Sequence, residues 1–389
     1  MITQTTLPQS NTSYRQCAKC VLDTIDDPHM SFDADGVCNY YYQYLEAAQK
    51  YLPDAAQRDA LLVKKIDKIK KDGKGKDYDV VVGLSGGVDS TYVALLAKKL
   101  GLRVLGVHLD NGWNSELAVK NIENIVTTLG IDLFTYVIDW DEFRDIQMAF
   151  LRASVVDIEV VSDHAIFATL FRQAGKHNVR HILSGTNVVT ETTLPSHWIW
   201  HKTDHVHIKD IHRAFGQLPL KTYPLMNWKV KRYYQQWRGI RAWSILNFVP
   251  YDKAKVKQQI IEELGWRDYG GKHYESIFTR FYQSYILPTK FGIDKRKAHL
   301  SDLIFSDQMT RDQAIEELKN PICDPDQIRQ DRIFVMKKFG LSESDFDRLM
   351  NEPPRSHAEY ATELGLFEQY PMLKYLRGPL EALKKRVAA

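Results

Sequence analysis

Between residues 77 and 226, short apolar runs alternate with stretches of helical periodicity. Asp79–Leu84 is a compact apolar run that ends in a glycine-rich turn, and Arg103–Leu109, Leu133–Ile138 and Val179–Leu183 repeat the form. Between these runs lie amphipathic segments over Val88–Leu100, Glu116–Leu129, 141–153 and 162–177. Val88, Tyr92, Leu95 and Leu96 share one face of the first, which Gly101 closes. Strands alternating with helices predict an α/β fold: a parallel sheet flanked on both faces by helices.

The flanking regions follow other rhythms. Residues 43–76 read as helical, with Leu61, Leu62, Ile66 and Ile69 near helical spacing between Pro53 and Gly73. Beyond residue 227 no strand is evident. Helical patterns recur at 253–264, 274–285, 310–319, 325–338 and 343–350. The reading is therefore a knuckle and helix over 1–76, an α/β domain over 77–226 and a helical region over 227–389.

The chain has 389 residues, 44% of them hydrophobic and 26% charged, which suits a globular protein and excludes disordered or collagen-like classes. Its net charge of +3, from 52 basic and 49 acidic residues, gives no reason to expect a nucleic-acid partner. No apolar run reaches the roughly 18 residues a membrane span needs, and Met1 to Asn11 lacks the order of a signal peptide. A cytoplasmic protein with no membrane insertion is expected. Four cysteines are too few for a disulfide framework and read as thiols or metal ligands.

The most informative residues are Ser85-Gly86-Gly87-Val88-Asp89-Ser90, between the first strand and its helix. Backbone N–H groups and the helix dipole converge there on an anion. Gly86 and Gly87 allow the main chain to approach phosphate oxygens, and Ser85 and Ser90 add hydroxyl donors. Asp89 repels phosphate, so its roles are Mg²⁺ binding or capping. Neither a Walker-type loop nor a dinucleotide fingerprint is present.

This hexapeptide resembles the PP-loop of the ATP pyrophosphatases, the adenine-nucleotide alpha-hydrolase-like fold. The resemblance implies cleavage of ATP between its α- and β-phosphates and transfer of AMP to a carbonyl oxygen, with the loop cradling the departing pyrophosphate. It places the adenine near His108-Leu109-Asp110-Asn111-Gly112, with Leu109 in contact and Asp110 either a second Mg²⁺ contact or a loop cap. Gly185 and Thr186, in Ser184-Gly185-Thr186-Asn187, would flank the nucleotide, with Asn187 and Glu191 towards the second substrate. Asp163-His164 also recurs in relatives, where an N-terminal helix cap is the plainer reading.

Three further stretches narrow the choice. They are the N-terminal C-x-x-C with Gly36-Val37-Cys38; Ile211–Gly216 with Leu220–Leu225; and Gly271–Ser276 with Phe278–Phe281. With the loop, they resemble the N-acetyl sugar amidotransferases (the WbpG/PseA group) over residues 14–305. That resemblance implies ATP-dependent activation of the acetamido carbonyl of a nucleotide-linked N-acetyl sugar. Ammonia would then displace AMP to leave an acetamidino group, in O-antigen or flagellin-glycan synthesis. Adenylation turns a poor leaving oxygen into a good one, and Mg²⁺ offsets charge on the pyrophosphate. Lys272 and Lys221 are candidate donors to phosphate or to the tetrahedral intermediate. His273 and Glu275 would orient sugar or amine, or simply pair at a helix start.

The chain shows no glutaminase elbow and no cysteine at position 2. The resemblance implies a separate glutaminase and an ammonia-channelling barrel subunit. Cys17 and Cys20 have metal-ligand spacing and Cys38 would be a third ligand of a structural Zn²⁺, but Tyr41 stands where relatives carry a fourth cysteine. His197, His201, His205, His207 and His212 crowd around Trp198 and Trp200 after the fourth strand, and Trp198 and His212 are assigned to substrate binding there. Two other readings stay open: a tRNA-modifying, thiolating PP-loop enzyme, and a module that only binds ATP or AMP. Against the first stand the balanced charge and the absence of cysteine from residues 77–226.

Overall fold

The computed structural model describes residues 14–271 and 274–369. Five strands form one parallel sheet: β1 (Val80–Gly83), β2 (Val104–Asp110), β3 (Asp132–Val137), β4 (His181–Ser184) and β5 (Arg241–Ser244). Their order is β3-β2-β1-β4-β5, with Val80 opposite Val104 on one side and His181 on the other. The chain therefore leaves β1 for β2 and β3, then returns to β1's other side with β4. Such a reversal opens a crevice at the strands' carboxyl ends, the usual ligand position in open α/β sheets.

Ten helices frame the sheet and its approaches: α1 (Asn39–Tyr51), α2 (Ala55–Asp72), α3 (Val88–Lys99), α4 (Glu116–Leu129), α5 (Trp140–Arg152), α6 (Val160–Lys176), α7 (Val188–Glu191), α8 (His205–Phe215), α9 (Trp228–Arg232) and α10 (Lys253–Leu264). Strand alternation sends Val80 and Val82 into one core with Val93, Leu95, Ile125 and Ile260, while Val81 joins Leu170, Phe171 and Ile182. Helices α3, α4 and α10 thus cover one face and α6 the other. A third and larger core joins α5, the N-terminal knuckle and the later helices, including Pro325–Phe339 and Glu343–Asn351.

The expected helices after residue 227 form nearly where periodicity places them. Thr310 and Ser342 open two of them with full capping boxes. The segment expected at 274–285 starts later, at Ile277 behind the Ser276 cap, and passes through a π-helical turn into Leu287–Phe291. One expectation fails: a strand does exist beyond residue 227. Strand β5 is only Arg-Ala-Trp-Ser at the sheet edge, too short and too polar to show a strand period, and it is fixed by pairing with β4. Strand β3, at the opposite edge, is largely exposed.

The C-terminal part of the described chain clasps α8. Arg355 N–H donates to Ser154 O at 2.9 Å, and Tyr360 Oη donates to Ala153 O at 3.0 Å. His207 Nε2 lies 2.9 Å from His357 Nδ1, and His357 Nε2 accepts from Asp157 N at 3.0 Å. Burial, and then the field of His357 at His207 and of Lys202 at His357, pulls both imidazoles from 6.5 down to about 3. Depressed histidine values mean that the folded state favours the neutral ring. The pair's stabilisation is therefore full above about pH 6.5 and is lost as pH falls towards 3. Melting temperature should drop between pH 7 and 4, and His357→Gln should flatten that dependence. Equal slopes in the two proteins would contradict this.

Candidate active site at the switch point

The Ser85–Ser90 turn lies at the carboxyl end of β1 and runs into α3, whose N-cap is Gly87. The turn is held by its own hydroxyls. Ser85 Oγ and Ser90 Oγ are 3.1 Å apart, Ser85 Oγ accepts from Gly87 N at 3.2 Å, and Ser90 Oγ donates to Gly87 O at 3.1 Å. Gly86 adopts φ +81°, and a Cβ there would stand 2.8 Å from Ala118 O. Only glycine fits such a left-handed, crowded position. The result is a bare backbone concavity at a helix N-terminus, which is where phosphate groups bind.

Gly185, after β4, presses on this turn from the other side of the crevice. A Cβ at Gly185 would lie 3.0 Å from Asp89 Cβ. Thr186 Oγ1 is 2.9 Å from Ser184 Oγ and 2.8 Å from Ser244 Oγ, so β4 and β5 end in a small hydroxyl cluster. The sheet thus brings Ser85–Ser90, Gly185 and Thr186 together as expected. Asn187 caps α7, accepting from Thr190 N at 2.9 Å, and Glu191 ends that helix.

Three aromatic side chains from 251–269 reach the loop, and no local sequence signal announces them. Trp266 Nε1 donates to Gly86 O at 2.7 Å across 180 residues. The Tyr269 hydroxyl would meet a Cβ on Gly87 at 3.2 Å. Tyr251 Oη donates to Asp89 Oδ1. Burial, then the nearby Asp89, keeps the Tyr251 phenol far above its ordinary pKa; burial, then Glu275 and Asp89, does the same at Tyr269. The Tyr251 field also registers Glu191. Asp89 and Glu275 stand beside this turn. Among the described residues they do not converge with a third carboxylate into a metal-ligand cluster, so Asp89, on the turn itself, is the carboxylate placed for a Mg²⁺ that bound phosphates would bring.

Glu275 arrives through a backbone splice. Ser115 N donates to Glu275 O at 2.9 Å, Ile277 N donates to Trp113 O at 2.8 Å, and Asn114 bridges Ser276. A Cβ on Gly87 would lie 3.3 Å from Glu275 Oε1. Lys272 and His273, the neighbouring candidates, lie outside the described residues. At the end of β2, the Leu109 side chain is buried in the core, so any contact with a nucleotide falls to its main chain. Asp110 Oδ1 accepts from Gly112 N at 2.9 Å and Asn114 Nδ2 at 3.3 Å, which is the loop-capping role.

Other candidates lie elsewhere. Lys221 sits on a loop beside β3, two strands from β1. Its N–H and those of Thr222 and Tyr223 donate to Glu142 on α5, while Gln217 and Leu218 donate to Asp145. The histidine-tryptophan run expected over the substrate is drawn largely into the core. Trp198 is 4% exposed and donates to Asp26 O at 3.1 Å, and His212 Nε2 is 3.0 Å from Asp145 Oδ2. Their apolar rings gain more by burial with a satisfied polar atom than by facing water. Asp163-His164 does not cap α6, which starts three residues earlier, at Val160. His164 accepts from Met226 N at 2.9 Å, and its burial lowers it to about 4, while Asp163 pairs with Lys202 at 3.1 Å.

The knuckle brings Cys17, Cys20 and Cys38 together, fully buried, with all three Sγ atoms within 4.8 Å of one another. Lys19 N–H and Cys38 N–H point at Cys17 Sγ, at 3.4 and 3.2 Å. The other two thiols, and then the N–H groups of Cys38 and Cys20, draw Cys17 towards the thiolate, while Cys20 is pushed up by its thiol neighbours. Three convergent sulfurs fit Zn²⁺ with one position left for another ligand. Tyr41 stays in the knuckle's packing, its ring 5.3 Å from Phe305. Metal analysis of the purified chain should give close to one zinc per chain, lost in Cys20→Ser; a metal-free wild type would contradict the site. Cys323 is half-buried, and burial raises its thiol pKa.

Two family models match. Residues 61–194 match NAD synthase, and residues 275–375 match the C-terminal domain of WbpG-like LPS biosynthesis proteins. No curated protein gives a significant match. Among solved structures, the NH3-dependent NAD synthetase from Campylobacter jejuni subsp. jejuni NCTC 11168 is 19% identical, covering 35% of this chain and 58% of its own, with a TM-score of 0.28. The NMN synthetase from Francisella tularensis is 14% identical, covering 66% and 94%, with a TM-score of 0.29. The match thus spans less than two thirds of that NAD synthetase. The loop at β1 and the two family matches define a protein of the PP-loop superfamily. Within it, the match over residues 275–375 supports a likeness to the WbpG-like amidotransferases.

Proposed function

We propose that the chain is an ATP-dependent carbon–nitrogen ligase. In this reading it adenylates the N-acetyl carbonyl of a nucleotide-linked sugar, and ammonia then forms the acetamidino group, releasing AMP and pyrophosphate. One juxtaposition carries the reading: the first residues of the WbpG-like match, Glu275 and Ser276, are spliced onto the β2 loop beside Gly87. The part of the chain most specific to WbpG-like proteins therefore sits against the phosphate cradle.

The backbone N–H groups of Gly86 to Asp89 and the hydroxyls of Ser85 and Ser90 would hold the β- and γ-phosphates. Asp89, with Glu275 beside the loop, would hold Mg²⁺, which neutralises charge developing on the leaving pyrophosphate. Gly185 and Thr186 would border the nucleotide. Glu275 would orient the acetamido group or the incoming amine, with Lys272 and His273 as further donors. Asn187 would support the sugar side by shaping the turn after β4.

Ammonia would come from a separate glutaminase through a barrel subunit. Among the described residues no helix is long and apolar enough to cross a membrane, and the acceptor would be a water-soluble nucleotide sugar. The thiolating alternative gains nothing from the knuckle, whose sulfurs are buried with one another. The test is incubation with ATP, Mg²⁺, ammonium and a panel of UDP- and CMP-linked N-acetyl sugars. One acceptor should become lighter by the difference between O and NH. Glutamine without a partner should give nothing; its use by the pure chain would contradict a separate glutaminase.

A further inference from the structure

Residues 195–274 lie between the two family matches, and Tyr251 is among them. Its position is over-determined. Pro250 precedes it, Asp252 follows as the N-cap of α10, accepting from Ala254 N and Lys255 N at 3.1 Å, and Tyr251 O accepts from Gln308 Nε2 at 3.3 Å. The ring packs 6.3 Å from that of Tyr92 on α3, so the phenol is anchored to the same helix that carries Asp89. It is 8% exposed, and its hydroxyl donates to Asp89 Oδ1 from 162 residues away.

We infer that Tyr251 is a positioning residue for Mg·ATP: its hydroxyl pins one oxygen of Asp89 and so fixes the direction from which the carboxylate meets the cation. The inference rests on the reading of the site given above. The physical reasons are direct. A carboxylate on the first turn of a helix can swing about χ1 and χ2, and it can cap the N–H groups of its own turn. Capping would take Asp89 away from the crevice and occupy the donors the phosphates need. A buried phenol on one oxygen blocks that rotation without supplying a charge. Trp266 works in parallel by holding Gly86 O, so the loop's carbonyl and its carboxylate are both fixed from the 251–269 segment.

The test uses Tyr251→Phe, which keeps the ring and its packing and removes only the hydroxyl. Isothermal titration of the full chain would compare ATP with Mg²⁺ against ATP with EDTA. Mg·ATP should bind about tenfold more weakly in the variant, as expected for losing a hydrogen bond to a charged group, while metal-free ATP should bind as in the wild type. In the Asp89→Asn background, Tyr251→Phe should have no further effect on Mg·ATP, because the two residues act as one unit. Equal weakening of both forms of ATP would show a merely structural role and overturn the inference, as would unchanged Mg·ATP affinity. A wild-type chain that binds no Mg·ATP would instead overturn the reading of the site.

Discussion

Asp89→Asn should lower pyrophosphate release by about two orders of magnitude or more, the scale on which removing one preorganised charge contact slows a reaction. The substitution is nearly isosteric, and the Tyr251 hydroxyl still finds an oxygen at the same place. What disappears is the negative charge. The variant should therefore keep its fold. Asp89 lies on the loop with Glu275 beside it. Because the side chain keeps its shape and its bond to Tyr251, the melting temperature of the ligand-free chain should hold. Loss of activity with retained stability marks a functional carboxylate. Undiminished release by Asp89→Asn would remove Asp89 from the mechanism.

The largest stability effect is expected at Asp331. Arg280 Nε and Nη2 reach its two oxygens at 2.6 and 2.7 Å, with the side chains 13% and 4% exposed. Gln327 Nε2 adds a third bond at 2.9 Å. This fork joins helix Ile277–Phe281 to helix Pro325–Phe339 inside the WbpG-like region. Asp331→Ala leaves the guanidinium buried without its partner, at a cost of about 3–5 kcal/mol in urea unfolding. A double replacement, Arg280→Met with Asp331→Leu, should recover most of that loss, because the penalty comes from an unpaired charge. The effect should also reach the site, since Ile277 follows directly on Glu275 and Ser276. A change below about 1 kcal/mol in the single variant, the range of an exposed ion pair, would contradict the account.

Much of this was legible in the sequence, for physical reasons that can be named. Strands β1, β2 and β4 are buried apolar runs, and the helices between them keep a helical period, so parallel topology followed from alternation alone. The glycines at 86 and 87 announced a tight strand-to-helix turn, and Gly86 is held there at a left-handed φ of +81° with Ala118 O 2.8 Å from where a Cβ would stand. The three cysteines were legible as a cluster from spacing. By contrast, β5 was hidden because four edge residues carry no period. The aromatic contacts from Tyr251, Trp266 and Tyr269 were hidden because they join segments more than 150 residues apart. The histidine run misled for the opposite reason. Trp198, His207 and His212 look like ligand-facing residues when read locally, yet their partners, Asp26, His357 and Asp145, are supplied by distant chain and draw them inward.

The central claim is that the Ser85–Ser90 turn holds the departing pyrophosphate while AMP is transferred to an amide oxygen. The most direct test is the identity of the nucleotide products, followed by ion-exchange chromatography during turnover with ammonium and an accepted nucleotide sugar. The account predicts AMP and pyrophosphate in equal amounts, matched by amidino product. Formation of ADP and inorganic phosphate would contradict it.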